Sequence, residues 1–150
     1  PYGDDRNQRW IDGFHTGFIL ISLSRITKYL GETRWISNLE RGYAFYRDRF
    51  FLAEGAPRYY HDKVFPFDAH SAAVGVLTFL EMADHATDAV QMADKVMKWA
   101  LDRLQDPKGF FYYQIRRFHK VRIPYMRWSQ TWMMYAMSEY LARPELLHHG

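Results

Sequence analysis

Apolar positions recur at helical spacing in five stretches of this chain, and short polar clusters open three of them. Residues 14–30 are apolar over much of a helix circumference, and Gly31 supplies a stop. Residues 35–52 place Ile36, Leu39, Tyr43, Tyr46 and Phe50 three or four apart, with Glu40, Arg41, Arg47 and Asp48 elsewhere. That spacing predicts an amphipathic helix with one wet side. Residues 68–83 carry no charge between Ser71 and Glu81, which predicts a helix buried on nearly every side. Residues 87–104 are amphipathic again: Val90, Ala93, Met97, Ala100 and Leu104 share a face, and Thr87 stands as the N-cap. A fifth helix, residues 127–141, is mostly apolar and is limited by Pro144.

The connections are punctuated by breakers. Gly55, Pro57 and Pro66 make residues 53–67 a loop or short ribbon, and Asp106-Pro107-Lys108-Gly109 is a turn. The aromatic and β-branched stretch that follows, residues 110–125, predicts a short hairpin or an extended loop. Buried helix then amphipathic helix, repeated, predicts concentric layers: inner helices about a shared axis, outer helices covering them. The expected fold is all-α, of repeated helical hairpins forming a partial (α/α) toroid of about five main helices in one domain, residues 1–150. A plain helical bundle is the alternative. The repeat is too long for tetratricopeptide units of roughly 34 residues.

The three polar clusters are Asp12-Gly13-Phe14-His15, Asp68-Ala69-His70-Ser71 and Arg127-Trp128-Ser129-Gln130. From His15 to His70 is 55 residues, and from His70 to Gln130 is 60. Helices repeating in one sense put their N-termini at one end of the molecule, so these clusters are expected to converge on one surface.

Composition narrows the chemistry. With 150 residues, 48% apolar and 25% charged, the chain is long enough for a real core and too apolar for disorder. There is no cysteine, which removes disulfides, thiolate metal sites and thiol nucleophiles and fits a reducing, cytoplasmic setting. No apolar run approaches the roughly 20 residues that span a bilayer. Between Pro107 and Ser138 stand six Lys/Arg (Lys108, Arg116, Arg117, Lys120, Arg122, Arg127) and no Asp or Glu, a local field that favours acidic ligands. A net charge of +3 and the lack of a known module weigh against nucleic acid. No phosphate loop or dinucleotide fingerprint appears, so no cofactor is expected.

Several segments carry a resemblance. Pro1-Tyr2-Gly3-Asp4 with Ile11-Asp12-Gly13-Phe14-His15-Thr16-Gly17-Phe18, Phe67-Asp68-Ala69-His70-Ser71-Ala72-Ala73, Gly109-Phe110-Phe111-Tyr112-Tyr113 and Pro124-Tyr125-Met126-Arg127-Trp128-Ser129-Gln130-Thr131-Trp132-Met133 run in consistent order from end to end. Together they resemble bacterial polysaccharide-biosynthesis proteins of the six-hairpin (α/α)-toroid, glycosidase-like type. The resemblance implies a carbohydrate-binding or carbohydrate-processing domain of exopolysaccharide biosynthesis. Proteins on that scaffold include hydrolases, lyases and epimerases, so fold does not fix function. Five helices are about half of twelve. The chain therefore looks like the C-terminal half of a longer protein, completed by an upstream half or by another copy, and self-association is expected.

The residues themselves suggest acid–base work. Asp12 and Asp68 sit where N-caps belong, and could also form the carboxylate pair that glycoside hydrolysis needs. Helix N-termini lower carboxylate pKa values, and neither has an evidently apolar setting, which weighs against a carboxylic acid donor. His15 and His70, each in a first turn, are either packed residues or acid/base groups. Asp12, His15, Asp68 and His70 are thus the catalytic candidates; no His-Glu-x-x-His pattern makes them a metal site. Tyr113, Tyr125, Arg127, Trp128 and Gln130 are the substrate-binding candidates, offering a cation, an amide and flat rings, whereas Trp132 reads as packing. The expected partner is a glycan. A non-catalytic protein-interaction module on the same scaffold is the alternative.

Overall fold

The structure, a computed structural model, describes residues 4–143. Pro1, Tyr2 and Gly3 of the resembling segment, the Pro144 stop, and so both ends of the expected 1–150 domain, lie outside the described residues.

Among the described residues five α-helices carry the fold: α1 (Gly13–Leu30), α2 (Ile36–Phe50), α3 (Ala69–Glu81), α4 (Ala89–Leu104) and α5 (Thr131–Leu141). Three two-residue strands, β1 (Phe67–Asp68), β2 (Gln114–Ile115) and β3 (Lys120–Val121), make an antiparallel ribbon in the order β1-β2-β3. Asp68 pairs with Gln114, and Gln114 in turn with Val121, so the 110–125 stretch is a short hairpin laid against the entrance of α3.

α3 is the centre. All twelve residues from Ala69 to Leu80 are buried, because α1 and α5 pack on its flanks and α4 behind it. α2 packs on α1 and reaches α3 through Tyr43 and Tyr46, whose rings contact Phe79. The inner layer is therefore α1, α3 and α5, and the outer layer α2 and α4, an arc of an (α/α) toroid as the alternation predicts. Fully buried Tyr46, Phe50, Leu39 and Phe79 anchor α2 on that layer. Truncating one such aromatic to alanine costs about 3–5 kcal/mol.

Local chemistry places the ends. Gly31 sits at φ 64 and donates its N–H to the Thr27 carbonyl, a left-handed stop that favours glycine. Gly17 marks a close approach of α1 to α3: a Cβ there would lie 2.6 Å from Thr78 Oγ1 and 2.7 Å from Val74 Cγ1.

Two boundaries differ from expectation. α4 starts at Ala89, and neither Thr87 nor Asp88 caps it with a side chain. Asp88 instead accepts hydrogen bonds from Tyr43 Oη (2.7 Å) and Arg47 Nη1 (2.9 Å), tying α4 to α2. The fifth helix is entered through a π-helical turn, Met126–Gln130, held by the Thr131 N–H and Oγ1 on the Met126 carbonyl. Arg127 and Trp128 ride on that wider turn. The outward flanks of α1 and α5 stay apolar and exposed: Ile19 at 66% and Met134 at 75%.

Candidate functional site

The inner helices begin at one end of the arc, and the second residue of each meets the next. Phe14 of α1 stacks on His70 of α3 (ring centroids 4.6 Å apart, planes at 26°), and His70 meets Trp132 of α5 (4.8 Å, 32°). One turn further along α1, Phe18 touches both His70 and Trp132, at 5.9 and 5.2 Å. These rings line a cleft of about 540 Å³ together with His15, Tyr59, Asp68, Tyr113, Arg127 and Trp128.

The repeat is thus real, but its register differs from the sequence reading. His70 corresponds to Phe14 and Trp132, each the second residue of its helix, while His15 corresponds to Ser71. Both aspartates are N-caps in the same way. Asp12 Oδ1 accepts the His15 backbone N–H at 2.8 Å, and Asp68 Oδ1 accepts the Ser71 N–H at 2.6 Å.

What differs is the histidine's offset. Three residues past its cap, His15 returns its own ring to the carboxylate: Nδ1 lies 2.8 Å from Asp12 Oδ2. An ionised Asp12 accepts the Nδ1–H and leaves Nε2 as the basic nitrogen. The Asp12 side chain is buried and the His15 ring is half exposed, so a buried carboxylate orients a solvent-reachable imidazole. Only two residues past its cap, the His70 ring is turned about 100° round the helix from that position and enters the aromatic stack. Burial, and secondarily the nearby His15, pull its pKa down to about 4, so it is neutral near pH 7. Its Nε2 is buried with no hydrogen-bond partner among the described residues.

Asp68 corrects a sequence expectation. Despite its helix N-terminus, burial pushes its pKa up to about 6, although hydrogen bonds from Ser71 and Gln114 pull the other way. It is the apolar-set carboxyl that no sequence pattern revealed. The Tyr59 and Tyr113 hydroxyls are raised by burial and then by the Asp68 charge.

The remaining candidates divide. Arg127 lines the cleft with its guanidinium over the Trp128 ring (5.2 Å). Tyr113 lines it too, and Tyr125 stands edge-on behind Tyr113 (5.1 Å, 84°) outside the cleft wall. Gln130 is not brought to the cleft. Its Oε1 accepts the Phe111 N–H (2.9 Å) and its Nε2 donates to the Phe111 carbonyl (2.6 Å), clamping the ribbon to α5. Asp12 acts through His15 and does not itself line the cleft.

Three cleft residues escape the sequence reading, Phe14, Phe18 and Tyr59, and a fourth, Trp132, reads there as packing. The helix count from each cap would have found Phe14 and Trp132. Tyr59 arrives from the 53–67 loop, which is strapped to the site by the Gly13 N–H on the Tyr59 carbonyl (2.9 Å) and carried no periodic signal. Among the described residues no three His, Cys, Asp or Glu side chains are grouped as a metal site requires, and no helix is long and apolar enough to cross a membrane.

Fold and cleft together define an arc of an (α/α) toroid with a pocket at the inner-helix N-termini. The sequence matches no family model and no curated protein. Among solved structures the chain is similar to cellobiose 2-epimerase from Bacillus thermoamylovorans, with a TM-score of 0.72 at 11% identity over 91% of this chain and 41% of that one. It is also similar to an unsaturated glucuronyl hydrolase variant with dGlcA-Glc-Rha-Glc, with a TM-score of 0.68 at 16% identity over 95% of this chain and 41% of that one. Both are (α/α)6 toroids of the glycosidase-like type, and at these identities the likeness shows the fold. The chain spans about two fifths of the length of either structure.

Proposed function

We propose that the cleft binds a saccharide and carries acid–base chemistry on it, as the catalytic arc of a carbohydrate-processing toroid serving polysaccharide biosynthesis. The observation that carries this reading is the meeting of three inner-helix rings with the Asp12-oriented His15 and the buried Asp68 around one cleft. Phe14, His70 and Trp132 offer the flat apolar faces that sugar C–H groups pack on. The unpartnered His70 Nε2 offers a hydrogen bond that a sugar hydroxyl satisfies.

The roles follow from the settings. His15, oriented by Asp12 through Nδ1, takes a proton at Nε2. Asp68, titrating near 6, supplies or shares a proton close to neutrality, where an ordinary aspartate is fully ionised. Arg127 at the rim favours a carboxylated sugar. Hydrolysis, β-elimination and epimerisation all draw on such a base–acid set. The cellobiose 2-epimerase and glucuronyl hydrolase likenesses support carbohydrate chemistry on this scaffold.

The test is calorimetric titration of the wild type, His70→Ala and Trp132→Ala with cellobiose and with dGlcA-Glc-Rha-Glc, followed by mass spectrometry for turnover. Saccharide binding that both variants lose is the expected result; a folded wild type that binds neither sugar overturns the reading. Binding without turnover in any acid–base background would move the function to a non-catalytic glycan or protein-interaction module. One observation favours that second reading, namely the exposed apolar flanks of α1 and α5 at Ile19 and Met134, which suit another copy or an upstream half.

A further inference from the structure

Beyond the cleft, on the far side of Tyr59, lies a second hollow of about 470 Å³ lined by Tyr59, Tyr60, Phe65, Pro66, Gln114 and Arg116. Tyr59 belongs to both cavities, so its ring is a shared wall. The second hollow holds a guanidinium, a primary amide and three aromatic rings, and among the described residues no carboxylate lines it.

Its parts are held by the elements that build the cleft. Tyr60 bridges by its backbone to Asp12, and the Tyr59 and Tyr60 rings meet edge to face at 4.6 Å. Phe65 is backed by Phe67 of β1 (4.8 Å). Gln114 is the middle residue of the ribbon, paired to Asp68 on one side and Val121 on the other. Its Oε1 accepts a hydrogen bond from Arg116 Nε (3.2 Å), which fixes the root of the guanidinium while the side chain stays exposed. Arg116 is in no ion pair among the described residues and is the cation that lines the hollow, Lys120 and Arg122 lying over the Tyr112 ring instead.

We propose that this hollow is a second sugar subsite, specific for a carboxylated residue, which makes the natural ligand an acidic oligosaccharide that crosses Tyr59 from one cavity to the other. The inference rests on the saccharide reading of the cleft and adds its substrate class. Arg116 pairs with the uronate carboxylate by charge-assisted hydrogen bonds, Tyr60 and Phe65 carry the ring, and Gln114 holds Arg116 in place. A single sugar fills only the cleft; two or three joined residues reach Arg116.

The experiment is calorimetric titration of wild type, Arg116→Gln and Trp132→Ala with 1,4-linked glucuronate monomer, dimer and trimer, and with glucose, cellobiose and cellotriose as the neutral series. In the wild type, affinity for the uronates should rise about tenfold or more between monomer and trimer, the gain of one charge-assisted contact. The neutral series should rise less. Arg116→Gln should erase the acidic gain and leave monomer affinity unchanged, while Trp132→Ala should weaken every ligand including the monomers. Uronate trimer binding by Arg116→Gln equal to wild type overturns the subsite while leaving the cleft standing. A wild type that binds no member of either series overturns the saccharide reading and the subsite with it.

Discussion

The entrances of α1 and α3 are built from the same parts and end in opposite states. Each has an aspartate cap bonded to the N–H three residues on, and each has a histidine in its first turn. At α1 the histidine stands at the bonded position, folds its ring back on the cap and shares it with solvent. At α3 it stands one residue earlier and joins the aromatic stack, leaving its equally buried aspartate without a histidine ring on the carboxylate. One residue of offset separates an oriented, solvent-reachable imidazole from a pair of groups that burial drives toward neutrality. The lesson is that a spacing of three from an aspartate cap makes a dyad, and a spacing of two makes two independent groups.

The largest effect should come from breaking the α1 dyad. If His15 is the base that Asp12 orients, His15→Ala lowers turnover by about 10²–10⁴-fold, and Asp12→Asn falls in the same range by misdirecting the ring. Saccharide binding and circular dichroism should both be preserved. Unchanged turnover in either variant, on a sugar the wild type converts, removes the dyad from the chemistry.

Next come the opposed titrations at α3. Asp68, raised to about 6, is bound to its proton more tightly folded than unfolded, so it favours the fold at low pH and loses that contribution as pH rises from about 4 to 6. His70, lowered to about 4, is protonated more readily unfolded, so its contribution is lost as pH falls from about 6.5 to 4. Each slope amounts to roughly 2–3 kcal/mol across its window, and in the wild type they oppose one another. Asp68→Asn should therefore uncover stability that increases with pH between 4 and 6.5, and His70→Gln stability that decreases between 4 and 6. Urea unfolding across pH 4–7 reads both; parallel profiles for wild type and the two variants would refute the burial of the pair.

The Gln130 clamp is a smaller effect. Gln130→Ala leaves the Phe111 N–H and carbonyl without their side-chain partner, which should destabilise the fold by about 1–3 kcal/mol in urea. Retained stability with lost sugar binding would return Gln130 to the binding surface. The smallest effect is expected at His70 itself, in His15→Ser, a variant that should lose turnover as His15→Ala does. Removing the neighbouring imidazole should raise the His70 pKa, an upward move to be followed by NMR titration of its ring protons.

The layered arc was legible in the sequence because α2 and α4 keep one polar face and α3 keeps none. Gly31 was legible because a left-handed stop has few other occupants. Convergence of Asp12, His15, Asp68, His70, Arg127 and Trp128 near one end of the arc followed from helices repeating in one sense. The site's register did not, because counting from the clusters put His15 opposite His70, whereas counting from the caps puts Phe14 there. The start of α4 was missed because Asp88 is spent on Tyr43 and Arg47, a tertiary pairing that no local propensity encodes. The raised Asp68 pKa was hidden for the same reason. Its apolar surroundings come from segments distant in sequence, and the helix terminus alone argues the other way.

Gly17 gives the stack its tolerance. It sits one turn below Phe14, where α1 comes so near α3 that even a methyl group meets Thr78 and Val74. The gap between the two helices is therefore gauged by a missing side chain rather than by any ring that a sugar would touch. Gly17→Ala would wedge the helices apart and open the Phe14–His70 contact from below. In a saturation library this position should be as intolerant as His70 itself.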